Sequence, residues 1–258
     1  MIEMVLAKWT LLLLIFVRVL GLFMTAPFWS GEGAPVMVKI GLAAASAVAI
    51  FPVASAQPEI PTAFATSFAF VFELIEQSLI GMIIGYMANL FFVIFDASAR
   101  FYDTQMGFGI INVLDPFHAT EASIMAQLQS FVAILVFISI DGPHVLLFAV
   151  QKSFTLVPQL DLQSGALPRA MVTIFSRIFY VSLIFALPML GVFFISHLIL
   201  GILSKASPQI NVMILGFPIN ISIGVFSFIL LLEYYQNLIP EIFASMFAEI
   251  DLFMTYLL

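Results

Sequence analysis

Apolar residues run along this chain in long unbroken stretches instead of alternating with polar ones. Six stretches reach the length of a bilayer-spanning helix, about 20 residues at 1.5 Å rise each: residues 9–28, 36–56, 64–95, 122–150, 170–203 and 212–239. A transmembrane β-barrel would show alternating segments of about ten residues between polar turns, so the continuous runs predict helices. Turn chemistry falls between them. Ser30-Gly31-Glu32-Gly33-Ala34-Pro35 separates the first two runs, and the segment from Pro52 to Pro61 closes the second. Asp141-Gly142-Pro143 interrupts the fourth, Pro158 to Pro168 follows it, and Ser204-Lys205-Ala206-Ser207-Pro208 joins the last two. Proline and glycine clusters of this kind end or bend helices.

Several runs are too long for a simple span. Residues 64–100 as one helix would measure roughly 55 Å, against about 30 Å of hydrocarbon. Pro188 and Pro218 lie inside the last two runs and are expected to kink them. The first run exceeds a signal-peptide core, holds Arg18 and lacks a small-residue cleavage site, so it is expected to be retained. Beyond Pro240, Ile242, Phe243, Met246, Phe247, Ile250, Phe253, Met254 and Leu257 recur at helical spacing. Glu241, Ser245 and Glu249 line another face. That predicts an amphipathic helix over 240–258, acidic and so suited to docking on protein more than on anionic lipid. The expectation is one domain, 1–258, of an all-α integral membrane-type protein: about six long apolar helices in hairpins, several kinked by proline, with an apolar re-entrant loop and a C-terminal amphipathic helix.

Composition sharpens this. Of 258 residues, 63% are hydrophobic and 9% charged, where a soluble domain has about 25% charged; so few charges cannot coat a water-soluble surface. Eight Lys+Arg against 15 Asp+Glu, net −7, leave no basic stripe for phosphates, which excludes nucleic acid as a partner. Cysteine is absent, which removes disulfides and thiolate sites. Lys8, Lys152 and Arg169 fall towards one side of alternating spans, and Lys39, Arg100 and Lys205 towards the other. The positive-inside rule therefore gives no orientation.

Catalytic chemistry has little to stand on. His118, His144 and His197 have no helically spaced histidine partner, and neither G-x-S-x-G nor H-E-x-x-H nor a phosphate loop occurs. No catalytic residue, cofactor or metal is expected. Arg18, Glu73, Glu76, Asp141 and Arg177 nevertheless lie within apolar runs, where an Arg or Asp near a helix centre costs about 2.5–3.5 kcal/mol. Three readings remain open: reaching the interface by snorkelling, ion pairing between helices or subunits, and a proton relay. Arg18, Glu73 and Glu76 are the candidates for pairing. Gly81 and Gly85 form a G-x-x-x-G motif, and Gly41, Ala45 and Ala49 repeat small-residue spacing, as do Ala43 and Ala47. Such faces let backbones approach closely, either within this chain's own bundle or against other subunits.

The most informative stretch runs from Gln105 to Phe117. Gly107 and Gly109 disfavour helix, β-branched Ile110, Ile111 and Val113 follow, and Asp115-Pro116 ends any helix that forms. Thr120 then offers an N-cap, with Glu121 at the positive helix end. Irregular backbone at membrane depth is tolerated only against protein or a water-filled cavity. An apolar loop over 106–117 suits a pore stopper, in which Met106, Phe108, Ile110, Ile111, Val113 and Leu114 exclude water; the alternative is a buried re-entrant turn.

At these residues the chain resembles the FliR family of the bacterial flagellar type III export apparatus, with its SctT-type injectisome relatives. The resemblance rests on an ordered series of motifs over nearly the whole chain. Arg18 comes first, followed by Ala26-Pro27, then Pro35 with Lys39-Ile40-Gly41-Leu42. Glu76, Gly81, Gly85, Gln105-Met106-Gly107 and Asp115-Pro116 come next, and Ala206-Ser207-Pro208-Gln209 and Gly216-Phe217-Pro218 close the series. The resemblance implies an export-gate subunit of the inner membrane and the flagellar basal body, assembling with FliP-like, FliQ-like and FlhB-like subunits and passing unfolded protein substrates. Residues 1–165 would correspond to a FliP-like part carrying the plug loop, and 166–258 to a FliQ-like hairpin with the C-terminal helix. It also implies that this subunit performs no chemistry. Two other classes compete. A secondary transporter or channel for a small solute should show two related halves with matching helix breaks, which the sequence lacks. An intramembrane enzyme would need two carboxylates converging at one site.

Overall fold

A computed structural model describes residues 9–30, 35–55, 66–107, 123–159, 166–207, 209 and 212–256. Among these, every regular element is helical: α1 (Trp9–Thr25), α2 (Pro27–Ser30), α3 (Val36–Ala54), α4 (Ser67–Met106), α5 (Ile124–Ser139), α6 (Gly142–Leu156), α7 (Ala166–Ala206) and α8 (Val212–Tyr256). The chain divides into two compact units.

The first unit comprises Met1–Phe91, Phe137–Ile174 and Phe243–Leu258. Its centre is the pairing of α1 with α3, with α6 against both. The buried positions follow the helical repeat: Leu11, Leu14, Ile15, Val19 and Leu22 on α1, and Ala43, Ala47, Ile50 and Ala54 on α3. Small alanines on the buried side let the two backbones approach. Gly41 of α3 is exposed, with nothing among the described residues within 4 Å of where a Cβ would stand. The two small-residue spacings on α3 thus point in different directions, one inward and one outward.

The expected break at Asp141-Gly142-Pro143 separates α5 from α6, which are bent by 67°. Asp141 takes up left-handed backbone there, at φ 57°, a conformation Asp tolerates better than most residues. Gly142 admits the ring of Phe137 against its backbone. That ring also lies 5.0 Å from Phe243 and 6.5 Å from Phe247. The C-terminal part of α8 is held here, with Phe243, Met246, Ile250, Phe253 and Met254 buried. Lys152 Nζ donates to Asp251 Oδ2 at 2.7 Å. The separate helix expected from Pro240 is instead a continuation of α8, which runs 45 residues through Pro218 and Pro240. A proline removes one backbone bond; burial of Ile239, Ile242 and Phe243 around it outweighs that loss.

The second unit comprises Phe92–Val136 and Phe175–Ile242. An aromatic core joins the later part of α4 to α7 and α8. Phe95 meets Phe185 edge-on at 5.5 Å, and Phe185 stacks on Tyr235 at 4.5 Å. A buried polar chain crosses from α4 to α5: the Tyr102 hydroxyl donates to Gln129, whose Nε2 donates to Ser98 Oγ at 2.6 Å. Ser98 in turn donates to the Phe95 carbonyl, so the Tyr102, Gln129 and Ser98 side chains are all hydrogen-bonded.

Of the six expected spans, α3, α4, α7 and α8 are long and apolar enough to cross a membrane, and the bent α5–α6 pair makes a fifth if taken as one. Within the described residues α1 has 17 residues, short of that length. The expected hairpins are otherwise recognisable, and the long run from 64 became a single 40-residue helix.

Candidate gate site: the end of α4 and a buried arginine

Helix α4 ends where glycine first allows it to. Met106 is its last residue, and the Gly107 N–H donates to the Thr104 carbonyl at 3.2 Å. Gly107 then turns left-handed, φ 92°, a region that a residue with a Cβ enters at a cost of about 1–2 kcal/mol. The ring of Phe217, from α8, covers that glycine: Cε2 and Cδ2 lie 2.6 and 2.7 Å from the position a Cβ would take. Met106 is fully buried, and its thioether sits in a notch at Gly224, where a Cβ would come 2.5 Å from Cε. Gln105-Met106-Gly107 and Gly216-Phe217-Pro218, two motifs 111 positions apart, therefore meet.

The chain returns to the same place. Asp103, one helical turn before Gly107, is buried and faces the Ser123 hydroxyl and the Met125 N–H, while its Oδ1 has no hydrogen-bond partner among the described residues. Ser123 caps α5, its Oγ accepting from the Ala126 N–H at 3.0 Å. Thr120, the expected cap, lies outside the described residues with Glu121. So do Phe108, Gly109, Ile110, Ile111, Val113, Leu114, Asp115 and Pro116 of the candidate plug. What the structure adds is the position of the two flanking residues, Gly107 and Ser123, both at the last turn of α4. Beside it opens a cleft of about 400 Å³, bordered by Gln105, Met106 and Gly107 and by His197, Leu200, Ser204, Phe217 and Asn220. Asn220, one of these lining residues, accepts a hydrogen bond from Ser196 of α7 at 3.0 Å.

In the first unit, Arg18 is completely buried. Its Nε donates to Gln77 Oε1 at 2.7 Å, Nη1 to Ser153 Oγ at 2.9 Å and Nη2 to the Val157 carbonyl at 3.1 Å. The guanidinium also lies over the Phe154 ring, 4.0 Å from its centre, an attraction that strengthens once desolvated. Gln77 passes the connection on, donating to Glu73 Oε1 at 2.7 Å and to the Pro158 carbonyl at 3.0 Å. Of the three charged residues singled out in the sequence, Arg18 and Glu73 are thus joined through Gln77, and Glu73 and Glu76 both act on Arg18 electrostatically. The network ties α1, α4 and the end of α6 with planar, multi-donor geometry that lysine could not reproduce.

Gly81 and Gly85 lie directly against α1, the first at the Arg18 carbonyl and the second at Leu22 and Thr25. Gly21 of α1 faces Ser78 and Met82 in return. Thr25 Oγ1 donates to the Met82 carbonyl at 3.0 Å across this contact. The close crossing places Arg18 beside Gln77. Phe217, Gly224, Asp103, Ser123 and Gln77 were not among the expected site residues. Gly224, a lone glycine in an apolar run, carried a readable signal; the others did not. Among the described residues no group of three or more His, Asp or Glu could hold a metal ion.

The sequence model of a family described as bacterial export proteins, family 1, matches residues 9–246. The flagellar biosynthetic protein FliR of Pectobacterium carotovorum is 30% identical over 240 residues, covering 91% of this chain and 87% of that one. FliR of Escherichia coli K12 is 28% identical over 244 residues, 91% and 92% of the two chains. FliR of Bacillus subtilis is 26% identical over 238 residues, 90% of each. The chain belongs to the FliR family of bacterial export proteins. It is a helical membrane protein and a component of the flagellar export apparatus. The family match spans residues 9–246, so the end of α4, the cleft and the Arg18 network all fall within it.

Proposed function

We propose that this chain is a structural and gating subunit of the flagellar type III protein export gate in the inner membrane. In this reading it assembles with FliP-like and FliQ-like subunits, and with a FlhB-like subunit, around a path for unfolded substrates. Residues 1–165 act as the FliP-like part and 166–258 as the FliQ-like hairpin. The loop over 106–117 plugs the path. Export then depends on displacing apolar side chains, whose contacts are individually about 0.1–0.2 kcal/mol and need no hydrogen bond to break. Gly41 is assigned to packing between subunits, and Gly81 with Gly85 to packing between helices.

The observation that carries this reading is the pair of anchorages on the last turn of α4. Gly107 leaves the helix under Phe217, and Ser123 comes back to Asp103. A segment so tethered is a detour of fixed origin, the arrangement a stopper needs. Helix faces rich in exposed apolar side chains, such as Phe175, Phe179 and Leu183 on α7, fit burial in a bilayer or against sister subunits. The test is removal of Gly107 to Leu114 in cells that make the whole gate. Ion leakage through an assembled gate supports the plug; an assembled gate as tight as the parent contradicts it.

A further inference from the structure

Two helical stretches of the first unit are patterned unlike the long apolar helices. On α6, Leu146, Ala149, Val150 and Phe154 are buried, while His144, Gln151, Lys152 and Thr155 are wholly or partly exposed. On the end of α8, Phe243, Met246, Ile250, Phe253 and Met254 are buried, while Ser245, Glu249, Asp251 and Thr255 lie towards the outside. An apolar face inward and a polar face outward is the pattern of a helix at the surface of a soluble protein. Each stretch carries one large exposed apolar side chain, Phe148 on α6 and Leu252 on α8, as soluble surfaces commonly do. On α7 the outward side is different in kind: Phe179, Leu183, Leu187, Phe194, Leu198 and Ile202 are all exposed, at helical spacing.

Charge agrees with the pattern. At the start of α6 the Asp141 and His144 side chains are 86% and 83% exposed. Further along, Lys152 meets Asp251 at 2.7 Å, and the pair joins α6 to the end of α8 with both side chains nearly half exposed. Ionised groups at membrane depth are costly and turn towards protein or water. These four turn outward from their own unit, so hydrocarbon is the wrong surrounding for them.

We propose that the outer faces of α6 and of the end of α8 form one water-contacting surface of the membrane-bound protein, and that α6 is not the second half of a span begun by α5. The 67° bend at Asp141-Gly142-Pro143 is then where the chain turns out of the hydrocarbon, with the left-handed Asp141 holding its carboxylate at that boundary. The apolar side of α6 packs on its own unit, and its charged side stays hydrated. This inference stands apart from the plug: neither the pore nor the segment that follows α4 enters it.

The chain has no cysteine, so each single substitution gives it a unique thiol. Gln151→Cys, Thr155→Cys and Ala248→Cys sample the polar surface; Phe179→Cys and Leu198→Cys sample the apolar side of α7. Each full chain is made in cells that produce the whole gate, and membranes opened on both sides are treated with a charged maleimide. The three polar-surface thiols should label about tenfold or more faster than the two on α7, because the thiolate is the reactive form and apolar surroundings disfavour it. Three positions on two helices keep the test decisive should one variant fail to assemble. Labelling at 151, 155 and 248 as slow as at 179 and 198, in chains present at parental level, overturns the proposal, whether lipid or a partner subunit does the covering. If removal of Gly107 to Leu114 leaves the gate tight, the plug reading falls, and the labelling rates still decide this one.

Discussion

The ring of Phe217 occupies the space in which a side chain at Gly107 would begin, with Cε2 2.6 Å from the Cβ position. Two demands fall on one residue: a left-handed backbone and the absence of a Cβ. Gly107→Ala should therefore cost more than the about 1–2 kcal/mol of backbone strain alone, since the ring must also move. Adding Phe217→Leu should recover the steric part and leave the backbone part. Thermal unfolding of the purified complex, compared across the single and double variants, measures the split.

The crossing of α1 and α4 makes a contrast among glycines. Gly81→Ala and Gly85→Ala push a methyl into the backbone of α1, so each should destabilise by about 1–3 kcal/mol, as overpacking does. Gly41→Ala meets nothing within 4 Å and should leave the chain's own stability within about 0.5 kcal/mol. Protease resistance of the chain in membranes ranks the three. A Gly41→Ala chain that folds normally but no longer co-purifies with partner subunits would mark that face as an interface between subunits.

Arg18→Ala would strand Gln77, Ser153 and the Val157 carbonyl inside the protein. Removing one member of a buried charged network costs about 3–5 kcal/mol, enough to lower the amount of chain in the membrane severely. Arg18→Lys should recover little, because one ammonium cannot reach three acceptors spread over α4 and the end of α6. Glu73→Gln should be far milder, below about 1.5 kcal/mol, since the new amide oxygen still accepts from Gln77. Steady-state levels and melting temperatures of the three variants check the order.

The long helices and the break at Asp141 were legible because apolar runs and turn residues act locally. The end of α4 was legible at Gly107 for the same reason, and Gly81 with Gly85 announced a close helix crossing. What covers Gly107 was not legible: Phe217 stood out as the centre of Gly216-Phe217-Pro218, but nothing in that motif says it would meet Gly107 until α8 is placed. Gln77 likewise looks like one polar residue in an apolar run. Its importance comes from standing between Arg18 of α1 and Glu73 one turn earlier on α4, a relation visible only once the two helices are placed. Pro240 misled, because a residue that disfavours helix locally was overridden by apolar burial on both sides.

Lys152 and Asp251 join α6 to the end of α8 at 2.7 Å, but both side chains are nearly half exposed. Their pairing should contribute only about 0–1 kcal/mol and weaken with salt. Lys152→Met should therefore change the melting temperature slightly at low ionic strength and not at all at high, measured on the same preparation.

The central claim is that residues following Met106 seal a path through an assembled export gate. Conductance across a planar bilayer holding the purified complex tests it most directly. The account predicts a closed parent complex and sustained ionic current once Gly107 to Leu114 are removed, with all partner subunits still present. A deletion complex of full composition that conducts no more than the parent would contradict it.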